Sequence, residues 1–116
     1  MKKLSIKETL EKNGFIIYPF EGTSMLPLLV ENEDKVHIKK DDNFEVNDVV
    51  LFEPSKNHFV LHRIIEIKDD KYFIIGDNAS KLDIIEKSKI LGKMVGFYKK
   101  TEYFEIDRKE YIDYVN

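Results

Sequence analysis

The chain has 116 residues, 42% hydrophobic and 12% aromatic, which suits one domain with a packed core. Charged residues make up 35%, with 19 basic against 22 acidic side chains interspersed; the net charge of −3 argues against a nucleic-acid partner, which usually demands a basic patch. With no cysteine, disulfides, thiolate catalysis and zinc–thiolate sites are excluded, and a cytoplasmic location is compatible.

In chain order, the basic start MKK is followed by no apolar run of signal-peptide length. The apolar stretches are far shorter than the ~20 residues needed to span a bilayer, so no anchor is expected. SIKETLEKNG predicts a short helix, with Ser5 as cap, Glu8 completing a capping box and Gly14 ending it. From Phe15 the texture is β. FIIYPF, DKVHIKK and DVVLFEP read as strands, with Val36 and Ile38 alternating against polar neighbours. HFVLHRIIEIKDD and KYFIIGDN read as a hairpin turning at Asp69-Asp70-Lys71. ILGKMVGFYKK and TEYFEI add two strands, with bends or bulges at Gly92 and Gly96. DRKEYIDYV reads as an amphipathic helix capped by Asp107, with Glu110 closing the box. The fold class expected is mainly β, a small, strongly bent antiparallel sheet or barrel with short N- and C-terminal helices, in a single domain over 1–116.

Three places can carry chemistry. In FEGTSMLPLL, Gly22 gives permissive backbone, Pro27 fixes the exit, and Ser24 stands on the turn between them. A nucleophilic serine needs such a turn, a base in reach and backbone N–H groups for the oxyanion. It is equally ordinary turn chemistry. His62 lies in FVLHRII, where Val60, His62 and Ile64 share one strand face and Leu61, Arg63 and Ile65 the other. An imidazole in that setting suits a general base near neutral pH, or a core histidine bonded to a carbonyl. His37 and His58 read as surface residues. GDNASKLD supplies Asp77 and Asp83, either of which can orient a histidine, and Asp77 can instead bond its own turn. No metal-binding cluster, phosphate-cradling loop or dinucleotide fingerprint is present, so no cofactor is expected.

The order GTSMLP, EDKVHI, NDVVLF, VLHRIIEI, IIGDN and ILGKMVGF resembles the type I signal peptidases and their relatives, the self-cleaving SOS-type repressors. The resemblance runs from about residue 20 to 99. It implies the signal-peptidase catalytic-core fold and a serine nucleophile, which lands on Ser24. The base in the bacterial enzymes and the repressors is usually lysine. In the archaeal and endoplasmic-reticulum branch it is the histidine of a His-Arg pair, here His62-Arg63. That branch also uses acidic residues that correspond by spacing to Asp77 and Asp83. The second acid and arginine that accompany the latter in the family are missing from LDII. Asn47 stands where the family has glycine in Gly-Asp-Val-Val, and asparagine tolerates the left-handed backbone that glycine supplies. Gly22 stands where signal peptidases often carry a hydroxyl for the oxyanion, as in the repressor branch. The oxyanion would then rest on the Ser24 N–H and neighbours, with Thr23 contributing and Met25 beside it.

The resemblance implies a soluble serine endopeptidase with a Ser-His mechanism. Its partner is an extended peptide or protein substrate, such as a leader peptide, bound as an added strand. Without an anchor, such an enzyme acts on other substrates or docks peripherally to a membrane partner. The alternative is a catalytically inactive peptide-binding module of the same fold. A repressor fragment fits less well, because about 20 residues before the serine motif are too few for a DNA-binding domain. The sequence does not specify the substrate or the oligomeric state.

Overall fold

The computed structural model describes residues 5–19, 25, 28–30, 33–106, 112, 114 and 115. Helix α1, Ile6–Asn13, is bounded by its own capping chemistry. Ser5 Oγ accepts the Glu8 N–H at 3.1 Å, and Gly14, at a left-handed φ of 81°, returns its N–H to Leu10 O at 2.8 Å. The helix buries Leu10.

The strands are β1 Phe15–Pro19, β2 Asp34–Lys40, β3 Val49–Ser55, β4 His58–Lys68, β5 Lys71–Ile75, β6 Asp83–Glu86, β7 Ile90–Lys99 and β8 Glu102–Glu105. They form one antiparallel sheet in the order β1-β2-β7-β3-β4-β5-β6, with β8 alongside β7. This is the mainly β antiparallel architecture expected from the pattern. Strand β6 departs from the sequence reading. It lies where only a turn is legible, because four residues with Ile84 exposed carry little alternation. The helix expected over 107–115 falls largely on residues outside the described set.

Strand β7 organises the sheet. One edge carries β2 from Gly92 to Lys99; the other carries β3 at 90–93 and β8 at 96–99. Its register shifts against β3 and β2 fall beside the two glycines, so Leu91 and Val95 are the extra residues. Any side chain at Gly96 would overlap the Tyr103 hydroxyl, which bonds His37 Nδ1 at 2.9 Å. His37 is therefore half-buried under an aromatic cover, not a plain surface residue.

Strand β3 lies inside the sheet and is covered on both faces, so Val49–Phe52 is a continuous apolar run. Val49 and Leu51 join Met25, Leu29, Val36, Ile38, Leu61 and Met94; Val50 and Phe52 join Phe44, Ile64, Tyr72, Ile74, Ile85 and Ile90. Each fully buried aliphatic of this kind contributes about 1.5–3 kcal/mol. Two turns aim β4 between its neighbours. Asn47, left-handed at φ 81°, donates its N–H to Ile64 O at 2.8 Å, and Asp48 O accepts the Ile64 N–H at 2.8 Å. The β4–β5 hairpin turns on two residues, Asp69 and Asp70, with φ of 54° and 62°, and Lys71 already belongs to β5.

Candidate functional site

His62 projects from the middle of β4, opposite Val50 on β3, with its ring edge-on to Phe52 at 6.2 Å between centroids. It is half-buried, and its Nδ1 is shielded from solvent. Asp83 starts β6 opposite Ile74, which itself stands opposite Ile64. Opposed residues share a face, as do residues two apart, so Asp83 and His62 project from the same face of the sheet. Burial pushes the His62 pKa below its ordinary 6.5, while the negative charges of Asp83 and, after it, Asp77 pull it back up. The ring is thus neutral at pH 7, the form that accepts a proton.

One residue on, Arg63 points to the other face and is 8% exposed. A guanidinium there must find an anion, and it finds Asp77 just beyond the end of β5. Nε donates to Oδ1 at 2.8 Å and Nη2 to Oδ2 at 2.9 Å, the planar two-point geometry that arginine favours. Nη1 donates to Asn47 O at 2.8 Å, tying the left-handed turn to the same group. The Tyr114 O–H donates to Asp77 Oδ2 at 2.7 Å, and its ring lies 5.9 Å from the Arg63 guanidinium carbon.

Met25 connects this pair to the serine motif. It is fully buried, and its Sδ accepts the Asp77 backbone N–H at 3.4 Å. Its carbonyl accepts the Leu29 N–H at 3.0 Å. The chain beyond is fixed by a second ion pair. Lys99 Nζ donates to Asp34 Oδ2 at 2.6 Å and to Leu28 O at 2.8 Å, and Oδ2 also accepts the Val30 N–H at 2.7 Å.

Of the residues singled out from sequence, the structure brings Met25, His62, Asp77 and Asp83 into one region. Ser24, Gly22 and Thr23 lie outside the described residues. Asp77 directly holds Arg63, and the stronger carboxylate influence on His62 is that of Asp83. Sequence reasoning gave no role to Arg63 itself, Tyr114, Asp34 or Lys99. A buried arginine inside VLHRII was the available signal, since its burial demands an acid; nothing in the spacing marks Tyr114 or the Asp34–Lys99 pair. Beside Asn47, a cleft lined by Asp48, Val49, Met94, Ile106, Ile112 and Val115 opens between the start of β3 and the end of β8. Among the described residues, no cluster of three or more acidic or histidine side chains could hold a metal, and no helix is long and apolar enough to cross a membrane.

The chain is 32% identical over 83 residues, 71% of its length, to the LexA repressor of Leuconostoc mesenteroides subsp. mesenteroides. It is 34% identical over 79 residues, 66% of its length, to the LexA repressor of Petrotoga mobilis. These likenesses point to the LexA and signal-peptidase-like superfamily. The chain spans about two fifths of the length of these relatives, 39% and 38%. No family model matches the chain.

Proposed function

We propose that the protein is a serine endopeptidase of the signal-peptidase and LexA type, acting on extended peptide substrates such as leader peptides. One observation carries the reading. Met25, next to Ser24, and Arg63, next to His62, meet at Asp77, so three segments far apart in sequence converge at one place. Ser24 Oγ attacks the scissile carbonyl carbon while His62 takes its proton. Collapse breaks the C–N bond, and His62 returns the proton to the leaving amine. Water then hydrolyses the acyl-enzyme by the same route. Asp83 serves best as the group that orients His62, because both oxygens of Asp77 are engaged by Arg63. The Ser24 N–H, with Gly22 and Thr23 beside it, supports the oxyanion.

The test is incubation of the purified protein with Ala-x-Ala-type leader peptides, followed by mass spectrometry. Cleavage by the parent and none by Ser24→Ala is expected; equal cleavage by both overturns the mechanism. Tight peptide binding without cleavage identifies an inactive peptide-binding module instead. A second reading joins the relatives' name, LexA repressor, to the resemblance to self-cleaving repressors: the chain is part of a repressor that cleaves itself. Cleavage that is independent of protein concentration, with no turnover of added peptide, would favour that form.

A further inference from the structure

Tyr114 lies outside the stretch that carries the family resemblance, yet its phenol is bonded into the group that joins the serine and histidine segments. Asp77 is a hub. Its two oxygens take the Arg63 fork, Oδ2 also takes the Tyr114 O–H at 2.7 Å, and its N–H meets Met25 Sδ at 3.4 Å. The Tyr114 ring stands near the Arg63 guanidinium at 5.9 Å, so this one side chain touches both partners of the pair. Its neighbour Val115 packs against the core cluster that contains Met25, and Val115 and Ile112 line the cleft beside Asn47. Asn47 in turn accepts the third Arg63 bond. The C-terminal part of the chain is thus keyed to the same ion pair from two directions.

We propose that Tyr114 is a positioning residue: by donating to Asp77 it fixes the plane of the Arg63–Asp77 pair, and through the Asp77–Met25 contact it fixes the backbone beside Ser24. The proposal rests on the serine-peptidase reading above. A carboxylate pinned by the guanidinium alone can still rock about the axis of its fork. The phenol supplies a further donor to Oδ2 that opposes the motion. A misplacement of about 1 Å at a nucleophile costs roughly 100-fold in rate, so a modest anchor has a large lever here.

The experiment compares the parent with Tyr114→Phe, Tyr114→Ala and, as a control for loss of a hydroxyl elsewhere, Tyr103→Phe. Each is treated with a fluorophosphonate probe and followed by intact-mass spectrometry. Methionine methyl and Arg63 Nε–H signals are followed by NMR. Tyr114→Phe keeps the ring over Arg63 but loses the donor. It is expected to slow the maximal rate of Ser24 labelling about tenfold or more with the probe's half-saturation unchanged. It should also speed solvent exchange of Arg63 Nε–H and shift the Met25 methyl. Tyr114→Ala falls further, and Tyr103→Phe labels like the parent. Parent-like labelling and unmoved Met25 and Arg63 signals in Tyr114→Phe overturn the proposal. If the parent itself does not label, the peptidase reading fails, while the NMR signals still decide whether Tyr114 orders Arg63, Asp77 and Met25.

Discussion

Two ion pairs fasten the segment that follows Ser24, and they do it differently. At Met25 the pair is Arg63–Asp77, a fork closed on both carboxylate oxygens, with side-chain exposures of 9% and 11%. At Leu28–Val30 it is Lys99–Asp34, a point charge shared between one carboxylate oxygen and a carbonyl, with the lysine 35% and the aspartate 1% exposed. A planar guanidinium fixes the orientation of its partner. An ammonium neutralises its partner and tolerates rotation. The fork stands where orientation matters, joining Met25 and the residue after His62, and the point charge stands where the segment only has to be tied down.

The contrast can be broken most severely at Arg63. Arg63→Ala strands a buried carboxylate and is expected to cost about 3–5 kcal/mol in urea unfolding. Arg63→Lys should recover part of that stability while Ser24 labelling stays low; full recovery of both would make the two pairs equivalent. Lys99→Met comes next, at about 2–3 kcal/mol, because Asp34 keeps the Val30 and Lys100 N–H groups. A greater loss there than at Arg63 reverses the ranking. A smaller effect is expected from Asp83→Asn, which removes the leading charge that raises the His62 pKa and so lowers it further, as followed by NMR titration of the ring. An unmoved titration would mean that the field on His62 comes from Asp77 and that Arg63 does not seal it.

The smallest effect is on stability against pH. The folded His62 pKa is depressed, so as pH falls below 6.5 the unfolded chain takes up a proton before the folded one does. Stability should decline from there until the lower folded pKa is passed, and His62→Phe should flatten that part of the profile. Under the proposed Ser24–His62 mechanism the same titration governs cleavage: half-maximal activity is expected below pH 6.5, because only the neutral ring can act as base.

Legibility in the sequence followed the range of the interactions. Helix α1 could be read because Ser5, Glu8 and Gly14 cap within one short segment. The Asp69-Asp70 turn was readable for the same reason, backbone preference being local, while the left-handed Asn47 was expected only from the resemblance, which puts a glycine there. Strand β6 was not, since its order comes from β5 and not from its own alternation. The bulge in β4 between Ile64 and Glu66 was equally silent; period-two reasoning puts Ile65 with Leu61 and Arg63, but Ile65 is 47% exposed. At the candidate site, sequence picked out His62, Asp77 and Asp83 by residue type, but not the arginine that claims Asp77. Charge pairing across a hairpin leaves no periodic trace. Tyr114 and Lys99 act across 37 and 65 residues, farther still.

The central place of β7 has a consequence for the order in which the molecule is put together. Strands β3 to β6 form a meander of neighbours in sequence, and it contains His62, Arg63, Asp77 and Asp83. Contacts of such short range form early, because little loop entropy opposes them. Leu28 and Val30 are fastened by Asp34 and Lys99, and β2, already paired with β1, meets its second neighbour β7 late in the chain. The Leu28–Val30 stretch therefore leaves the ribosome before the meander does, yet its Lys99 bond at Leu28 forms only after residue 99 has followed. His62, Arg63, Asp77 and Asp83 thus sit in the locally wired part of the sheet, and the Lys99 tie on Leu28 waits for long-range closure.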